Sequence, residues 1–554
     1  MRSSASNPSG SSPGLPARLL HLLRPSHQYS AFSATLLLMG SIMLARIIGY
    51  LREMYVAWAF GAGPITDAYV AAFQIPDYLF YLLAGGTISI TFISIYTRHT
   101  SRGDERRAQE AFNTTVTIMT VIALAGTILI EIFTPQIAQI IFPKFDEQQL
   151  ELSVYLTRII LPGQIFFYAG GVISAVLLSK RMFLYPALSP VLYGSSIILG
   201  GLIGAQRFGI AALAYGALLG SFVGPFLINS IGAAKTGLRY RWSFDFRNPE
   251  FREWVKLSIP LMLGVSLVSA DDWILRYFAS GGAGEISRLN YAKRLFALPI
   301  SILGQAAGQA SMPFFARLFG EGKRKEFADS VNQSVYRVGS AALLVSALML
   351  TAALPLVDLA FRRGHFHLQD SVSTAAYFAW FSLSLTLWSA QALYARAFYS
   401  AGDTMTPMVA STLIVVASLP MYAAMFHRFG FTGLAMASDL GILLHTVVIA
   451  WLLNRRGLVP LSGLPWGEVG KAFATALVAG AACYAVSLRL VAPGDWRRDV
   501  VSLAILGVTW LVVVAAGLWF TRSRLWSDLQ RSKPPEPIPE PRAVVERTEG
   551  GAQP

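Results

Sequence analysis

Long apolar runs separated by short polar loops make up most of the chain. A helix crossing ~30 Å of hydrocarbon needs about 20 mostly apolar residues. By that measure about fourteen runs qualify, near 32–59, 67–96, 112–134, 152–178, 185–205, 210–231, 254–279, 286–315, 337–360, 372–400, 408–427, 432–453, 469–490 and 500–521. The ten-residue apolar/polar alternation of an outer-membrane barrel is not the pattern here. The pattern predicts an all-α polytopic membrane protein. Composition agrees: 54% of the 554 residues are hydrophobic and only 14% charged, against about 25% charged in a soluble domain. Mean hydropathy is +0.51. A cytosolic enzyme, a disordered chain and a secreted disulfide scaffold are thereby excluded. The single cysteine, Cys483, rules out an internal disulfide or a cysteine-based metal site.

The formal charge of +14 would suit nucleic acid if it were clustered. It is spread over short loops instead, which is how cytoplasmic loops of membrane proteins are marked, so no nucleic acid is expected. Arg98, Arg102, Arg106 and Arg107 follow span two, Lys180 and Arg181 span four, and Lys235, Arg239, Arg241, Arg247 and Arg252 span six. Lys323, Arg324 and Lys325 follow span eight, and Arg455 and Arg456 span twelve. The alternate loops 60–66 and 280–286 carry no Lys or Arg. Arg362 with Arg363, and Arg497 with Arg498, break the rule. The bias places both termini in the cytoplasm. Residues 1–29 read as a Ser- and Pro-rich cytoplasmic tail rather than a signal peptide, and 522–554 as a Pro-rich disordered tail.

The chain repeats itself at a spacing of 221 residues. Gly61-Ala62-Gly63 recurs as Gly282-Ala283-Gly284, and Arg207-Phe208-Gly209 as Arg428-Phe429-Gly430. Phe145 and Pro186 recur as Phe366 and Pro407. A unit of six spans preserves orientation, so the halves are parallel repeats about an axis along the membrane normal. The expected organisation is an N-lobe over 30–233, a cytoplasmic linker over 234–253, a C-lobe over 254–453 and two added spans over 454–521. Two pseudo-symmetric lobes across an axis suit alternating access.

Charges inside apolar runs are costly, at ~2.5–3.5 kcal/mol each on insertion scales, and normally face a partner or a polar cavity. Arg46 and Arg52 lie in span one, with Glu53 beside Arg52 as an alternative partner. Span seven holds Asp271, Asp272 and Arg276; the i,i+4 spacing predicts an Asp272–Arg276 pair. Arg294 lies near the start of span eight. Asp67 opens span two, where a carboxylate can cap that helix. Asp439 is a further acid in the second lobe. The excess of basic residues at depth predicts a cationic cavity, and the arginine fork suits phosphate. Pro76 with Gly85 and Gly86, and Pro299, are candidate hinges. His365 and His367 have no third ligand nearby, so no metal is expected, and no familiar catalytic motif is present.

The segment 45–77, ARIIGYLREMYVAWAFGAGPITDAYVAAFQIPD, resembles the start of the MurJ (MviN) lipid II flippases, within the multidrug/oligosaccharidyl-lipid/polysaccharide exporter superfamily. NYAKRLFALP at 290–299, FRRGHFHLQD at 361–370 and FYSAGDTMTP at 398–407 are similar to the same family. The resemblance implies a non-enzymatic carrier of undecaprenyl-pyrophosphate-linked disaccharide-pentapeptide from the inner to the outer leaflet of the bacterial plasma membrane. It assigns Arg46, Arg52, Asp67 and Arg294 to the central cavity or its gate, the arginines engaging the pyrophosphate, and gives the two added spans a groove for the lipid tail. This chain departs from the family pattern at Phe80, where a further Arg is usual, at Gly85, where a Glu is usual, and at Lys293, where an acid often precedes the span-eight arginine. Asp271, Asp272 and Arg276 are not family hallmarks.

Lipid II or a related polyprenyl-pyrophosphate glycan is thus the expected substrate. Membrane lipids, and cell-wall synthesis or division proteins, are the candidate partners. No cofactor is expected beyond coupling to membrane potential, H+ or Na+, for which Asp271, Asp272 and Asp439 are candidates. The competing readings are an exporter of another lipid-linked oligosaccharide or amphipathic drug, and a non-transporting envelope scaffold.

Overall fold

The computed structural model describes residues 31–83, 87–263, 267–490 and 495–530. The hinge candidates Gly85 and Gly86, the 1–29 tail and the part of the C-terminal tail beyond 530 lie outside the described residues. Helix dominates, and no strand occurs among the described residues. Among the described residues, eight helices are long and apolar enough to cross a membrane: Glu105–Ile141, Glu147–Ser179, Leu184–Phe208, Ala211–Lys235, Arg324–Thr351, Met405–Arg455, Trp466–Ser487 and Trp496–Phe520. The 51 residues of Met405–Arg455 are two helices joined at Gly430 (φ 61°, ψ −144°). Gly209, its repeat partner, ends Leu184–Phe208 with nearly the same angles (φ 56°, ψ −138°). A left-handed φ favours glycine, so the repeated Arg-Phe-Gly tripeptide builds the same turn twice.

Span one is a single helix, Ala31–Phe60, but the other charged spans, two, seven and eight, are segmented. Span two is divided into Pro64–Ala72, Gln74–Leu83 and Thr87–Ser101. Span seven comprises Pro249–Leu263 and Leu267–Ala279. Span eight runs Glu285–Pro299, then a π-helical turn Ile300–Ala306, then Ala307–Gly320. Pro299 immediately precedes that π turn, a usual cause of local bending. Pro76 is buried within Gln74–Leu83.

Three large apolar clusters show how the halves meet. One draws on both halves, with Val56, Tyr69, Ile160 and Leu213 packed beside Leu275, Leu289, Phe361 and Leu434. It surrounds the loops that lack basic residues. At the basic end each half keeps its own core: Phe92, Phe112, Tyr168 and Trp254 in one, Phe315, Phe327, Leu393 and Leu453 in the other. Span seven belongs to both. Pro249–Leu263 packs on Thr87–Ser101 and Glu105–Ile141, whereas Leu267–Ala279 packs on Glu285–Pro299 and Met405–Arg455. Arg98 holds Glu253 through two nitrogens at 2.8 and 2.5 Å, fixing the first contact. Trp466–Ser487 and Trp496–Phe520 attach to Arg324–Thr351 through Leu344, Ala476 and Leu518, and Trp510 Nε1 donates to the Leu344 carbonyl at 2.7 Å.

Candidate functional site

At the end opposite the basic loops, polar contacts cross between the halves. Asp67 does not cap its own helix; Gly63 stands at that N-cap without a side-chain bond. Its carboxylate instead reaches the N-terminus of Glu285–Pro299. It accepts from Gly284 N at 2.6 Å, Ser287 N at 2.8 Å and Ser287 Oγ at 2.6 Å. The two amide donors are backbone groups that a helix start leaves unpaired. The sequence could not show this capping because the partner helix lies some 220 residues away. Tyr291 OH donates to the Gly61 carbonyl at 3.1 Å, and His365 N to the Trp58 carbonyl at 3.0 Å. Close backbone approach requires glycine here: a Cβ on Gly284 would lie 2.6 Å from the Ala62 carbonyl oxygen, and one on Gly364 2.1 Å from that of Trp58.

Behind this seal lies a cavity of about 190 Å³ lined by Arg52, Glu53, Tyr69, Val70, Phe73, Asp77, Tyr193, Arg276, Asn290 and Arg294. At 1.5 Å per residue, Arg52 lies about 12 Å from the sealed end of Ala31–Phe60, and Arg294 about 14 Å from that of Glu285–Pro299. The matched depth brings them together. Glu53 sits between: Arg52 binds it at 2.7 Å, Asn290 Nδ2 at 3.2 Å and Arg294 Nε at 3.8 Å. One buried carboxylate therefore orients two guanidinium groups drawn from different halves. Arg46, about 21 Å from the sealed end, is outside this lining. It is exposed toward the basic end and donates to Gln305 Oε1 of the π turn at 3.1 Å.

The predicted Asp272–Arg276 pair does not form. Lys293 Nζ donates to both Asp271 and Asp272 instead. Asp271 also accepts from Tyr422 OH and, at 2.9 Å, from Ser438 Oγ. Arg276 is left to line the cavity, its Nη1 buried without a hydrogen-bond partner among the described residues. Asp439 lies behind this network, near Ser384, Asp271 and Lys293, and is not part of the cavity wall. The wall is less cationic than the sequence suggested: Arg52, Arg276 and Arg294 face Glu53 and Asp77. Sequence reasoning missed Asp77, Tyr69, Tyr193 and Asn290. Asp77 does carry a signal, an acid ten residues beyond Asp67 inside an apolar run. A neighbouring shallow depression shares Arg276 and Asn290 with the cavity and adds Asp272 and Lys293.

Two halves sealed at one end around a charged cavity define a polytopic membrane transporter, and solved structures show the same fold. A structure described as lipid II flippase MurJ in an inward closed conformation superimposes with a TM-score of 0.73, at 19% identity, over 90% of this chain and all of the other. An inward-facing multidrug resistance MATE transporter of the MOP superfamily gives 0.61 at 15% identity, over 76% of this chain and 98% of the other. The family model described as lipid II flippase MurJ matches residues 56–496, and the chain belongs to that family. A probable lipid II flippase MurJ of Synechocystis is 24% identical over 517 residues, covering 88% of this chain and 96% of the relative. The lipid II flippase MurJ of Burkholderia cenocepacia is 27% identical over 442 residues, covering 77% and 84%.

Proposed function

We propose that this protein flips lipid II across the bacterial plasma membrane by alternating access, without chemistry on the substrate. The observation that carries the reading is the cavity in which Arg52 and Arg276, from different halves, face Arg294 behind a seal that joins those halves. A pyrophosphate offers several acceptor oxygens, and planar guanidinium groups donate in matching pairs. With basic loops cytoplasmic, the seal faces outward and the arrangement is inward-facing, with both termini in the cytoplasm. Arg46 stands nearest the cytoplasmic mouth and makes the first contact with the head group. Arg52, Arg276 and Arg294 then hold the pyrophosphate, and Asp67 with its partners opens to release it outside. The polyprenyl tail stays in lipid or beside Trp466–Ser487 and Trp496–Phe520.

The driving force follows from charge. An inside-negative potential favours outward movement of an anion, by ~2.3 kcal/mol per net charge at 100 mV. The test is depletion complementation in a bacterium lacking its own flippase, paired with an assay of lipid II exposed on the outer leaflet. Growth and exposure are both expected to return. Failure of both overturns the substrate assignment. Alanine at Arg46, Arg52 and Arg294 is expected to abolish activity at normal membrane abundance; intact function in all three would favour a scaffold.

A further inference from the structure

The segment between Lys235 and Pro249 is neither helix nor free loop. It runs extended along the first turns of Glu105–Ile141, held by its own backbone and side chains. Gln109 Nε2 donates to the Arg239 carbonyl at 2.6 Å, and Arg241 N donates to Asn113 Oδ1 at 3.1 Å. Thr114 Oγ1 lies 2.9 Å from Ser243 Oγ, and Thr117 Oγ1 lies 2.9 Å from Tyr240 OH. The segment is thus pinned at a defined depth, yet its aromatic side chains are left outside. Trp242, Phe244 and Phe246 are 71%, 53% and 60% exposed. Trp242 stacks on Phe244, their ring centroids 6.1 Å apart. Lys235, Arg239, Arg241, Arg247 and Arg252 alternate with them, against Asp245 and Glu250.

The depth follows from the supporting helix. Glu105–Ile141 is 37 residues long, about 55 Å, far more than the ~30 Å of hydrocarbon. Its large exposed apolar side chains begin at Ile122 and continue to Ile140. Thr117 lies five residues before Ile122, about 7 Å outside the hydrocarbon edge. That is the headgroup layer, where amphipathic aromatic rings concentrate. Arginines beside them meet phosphate at the same level.

We propose that residues 238–247 form a membrane-interfacial strap that binds anionic phospholipid head groups. Trp242, Phe244 and Phe246 dip toward the acyl boundary, and Arg239, Arg241 and Arg247 hold the phosphates. The strap joins the last helix of the first half to span seven, so a lipid-bound strap anchors that connection at the membrane surface.

The test uses the full chain in nanodiscs of phosphatidylcholine containing a fixed fraction of brominated lipid, either phosphatidylglycerol or phosphatidylcholine. The Trp242 contribution is the difference between the wild-type chain and Trp242→Phe. Quenching of that contribution should be stronger with brominated phosphatidylglycerol. Arg239→Gln, Arg241→Gln and Arg247→Gln combined should lower the preference at least about fivefold, since each basic residue at an anionic surface adds roughly that factor. Retained lipid, read by mass spectrometry of the purified protein, should fall in parallel, and this arm does not depend on the Trp242→Phe variant. Equal quenching by both lipids, or none by either, overturns the proposal. So does a preference abolished by one equivalent of a polyprenyl pyrophosphate, which would make the strap a substrate site. None of these readouts requires transport, so the result stands apart from the flippase reading.

Discussion

Glu53 shows how a single carboxylate can set the geometry of a charged cavity. Alone in hydrocarbon, Arg52 and Arg294 would each be expensive and free to swing. Bonded to one acid, they are neutralised in part and pointed the same way. Arg276 differs, because Lys293 has taken both neighbouring aspartates. The charge of Lys293 is therefore compensated by two acids of span seven within the same chain. Two predictions follow at this scale. Glu53→Gln keeps the shape but removes the charge that orients both arginines; lipid II flipping in proteoliposomes should fall at least about tenfold, as expected for losing one member of a buried charged pair. Arg276→Ala should weaken transport similarly, while Arg276→Lys recovers little, because an ammonium lacks the two-pronged donor. The sequence made Arg52 and Arg294 legible, since charge in an apolar run is conspicuous. It hid the role of Glu53, which read only as a local partner for Arg52. It also misdirected Arg276, because i,i+4 spacing counts neighbours along one helix and Lys293 comes from another.

At the scale of elements, helix termini do the joining. Asp67 caps Glu285–Pro299 from the opposite half, so that helix start is complete only while the seal between the halves is closed. Removing an N-cap costs ~1 kcal/mol, enough to shift a two-state equilibrium about fivefold. Asp67→Ala should therefore populate the outward-open state. The chain has one cysteine, Cys483, and it is buried, so a Cys483→Ala, Thr66→Cys background gives a clean probe. Thr66 is fully buried at the seal, and its labelling by an external thiol reagent should rise about fivefold with Asp67→Ala; an unchanged rate would remove Asp67 from the gate. On the basic side Asp403 has a similar local task. It accepts from Thr406 N at 2.9 Å and Thr406 Oγ1 at 2.7 Å, and pairs with Arg456. Burial alone would raise its pKa, but the Thr406 bonds and Arg456 outweigh that and hold it below the usual carboxylate value. A depressed folded-state pKa stabilises above the unfolded value near 4 and is lost as pH falls through the folded one. Asp403→Asn should lower the thermal midpoint at pH 7, and the gap to wild type should narrow only in strong acid. The helical, membrane-spanning character was legible from the long apolar runs, and the repeat paired the two Arg-Phe-Gly tripeptides, but the turn each one makes comes from the left-handed φ of its glycine. The break in span eight was legible only as Pro299, because the π turn that follows it has no side-chain signature of its own.

On the scale of the whole molecule, the repeat supplies two bodies and span seven ties them together. Its first segment is clamped to the first half by Arg98 and Glu253, while its second segment carries Asp271, Asp272 and Arg276 into the second half. Rocking about the cavity must therefore bend span seven or shift its first segment. On the proposed flippase reading, charge sets which way loaded rocking runs. Arg52, Arg276 and Arg294 against Glu53 and Asp77 leave the empty wall one charge positive, and a pyrophosphate diester, with two ionised oxygens, makes the loaded cavity net negative. An inside-negative potential then favours the outward-facing loaded state, by ~2.3 kcal/mol per charge at 100 mV, close to a fiftyfold bias. In proteoliposomes holding a potassium gradient, valinomycin that sets the interior negative should speed exposure of lipid II on the outer leaflet for chains oriented with basic loops inside. Reversing the gradient should slow it. Arg276→Gln makes the loaded cavity more negative by one charge, so the residual transport of that variant should depend more steeply on voltage than wild type, even as its rate falls. A voltage slope unchanged by that substitution would mean that Arg276 does not move with the substrate through the field.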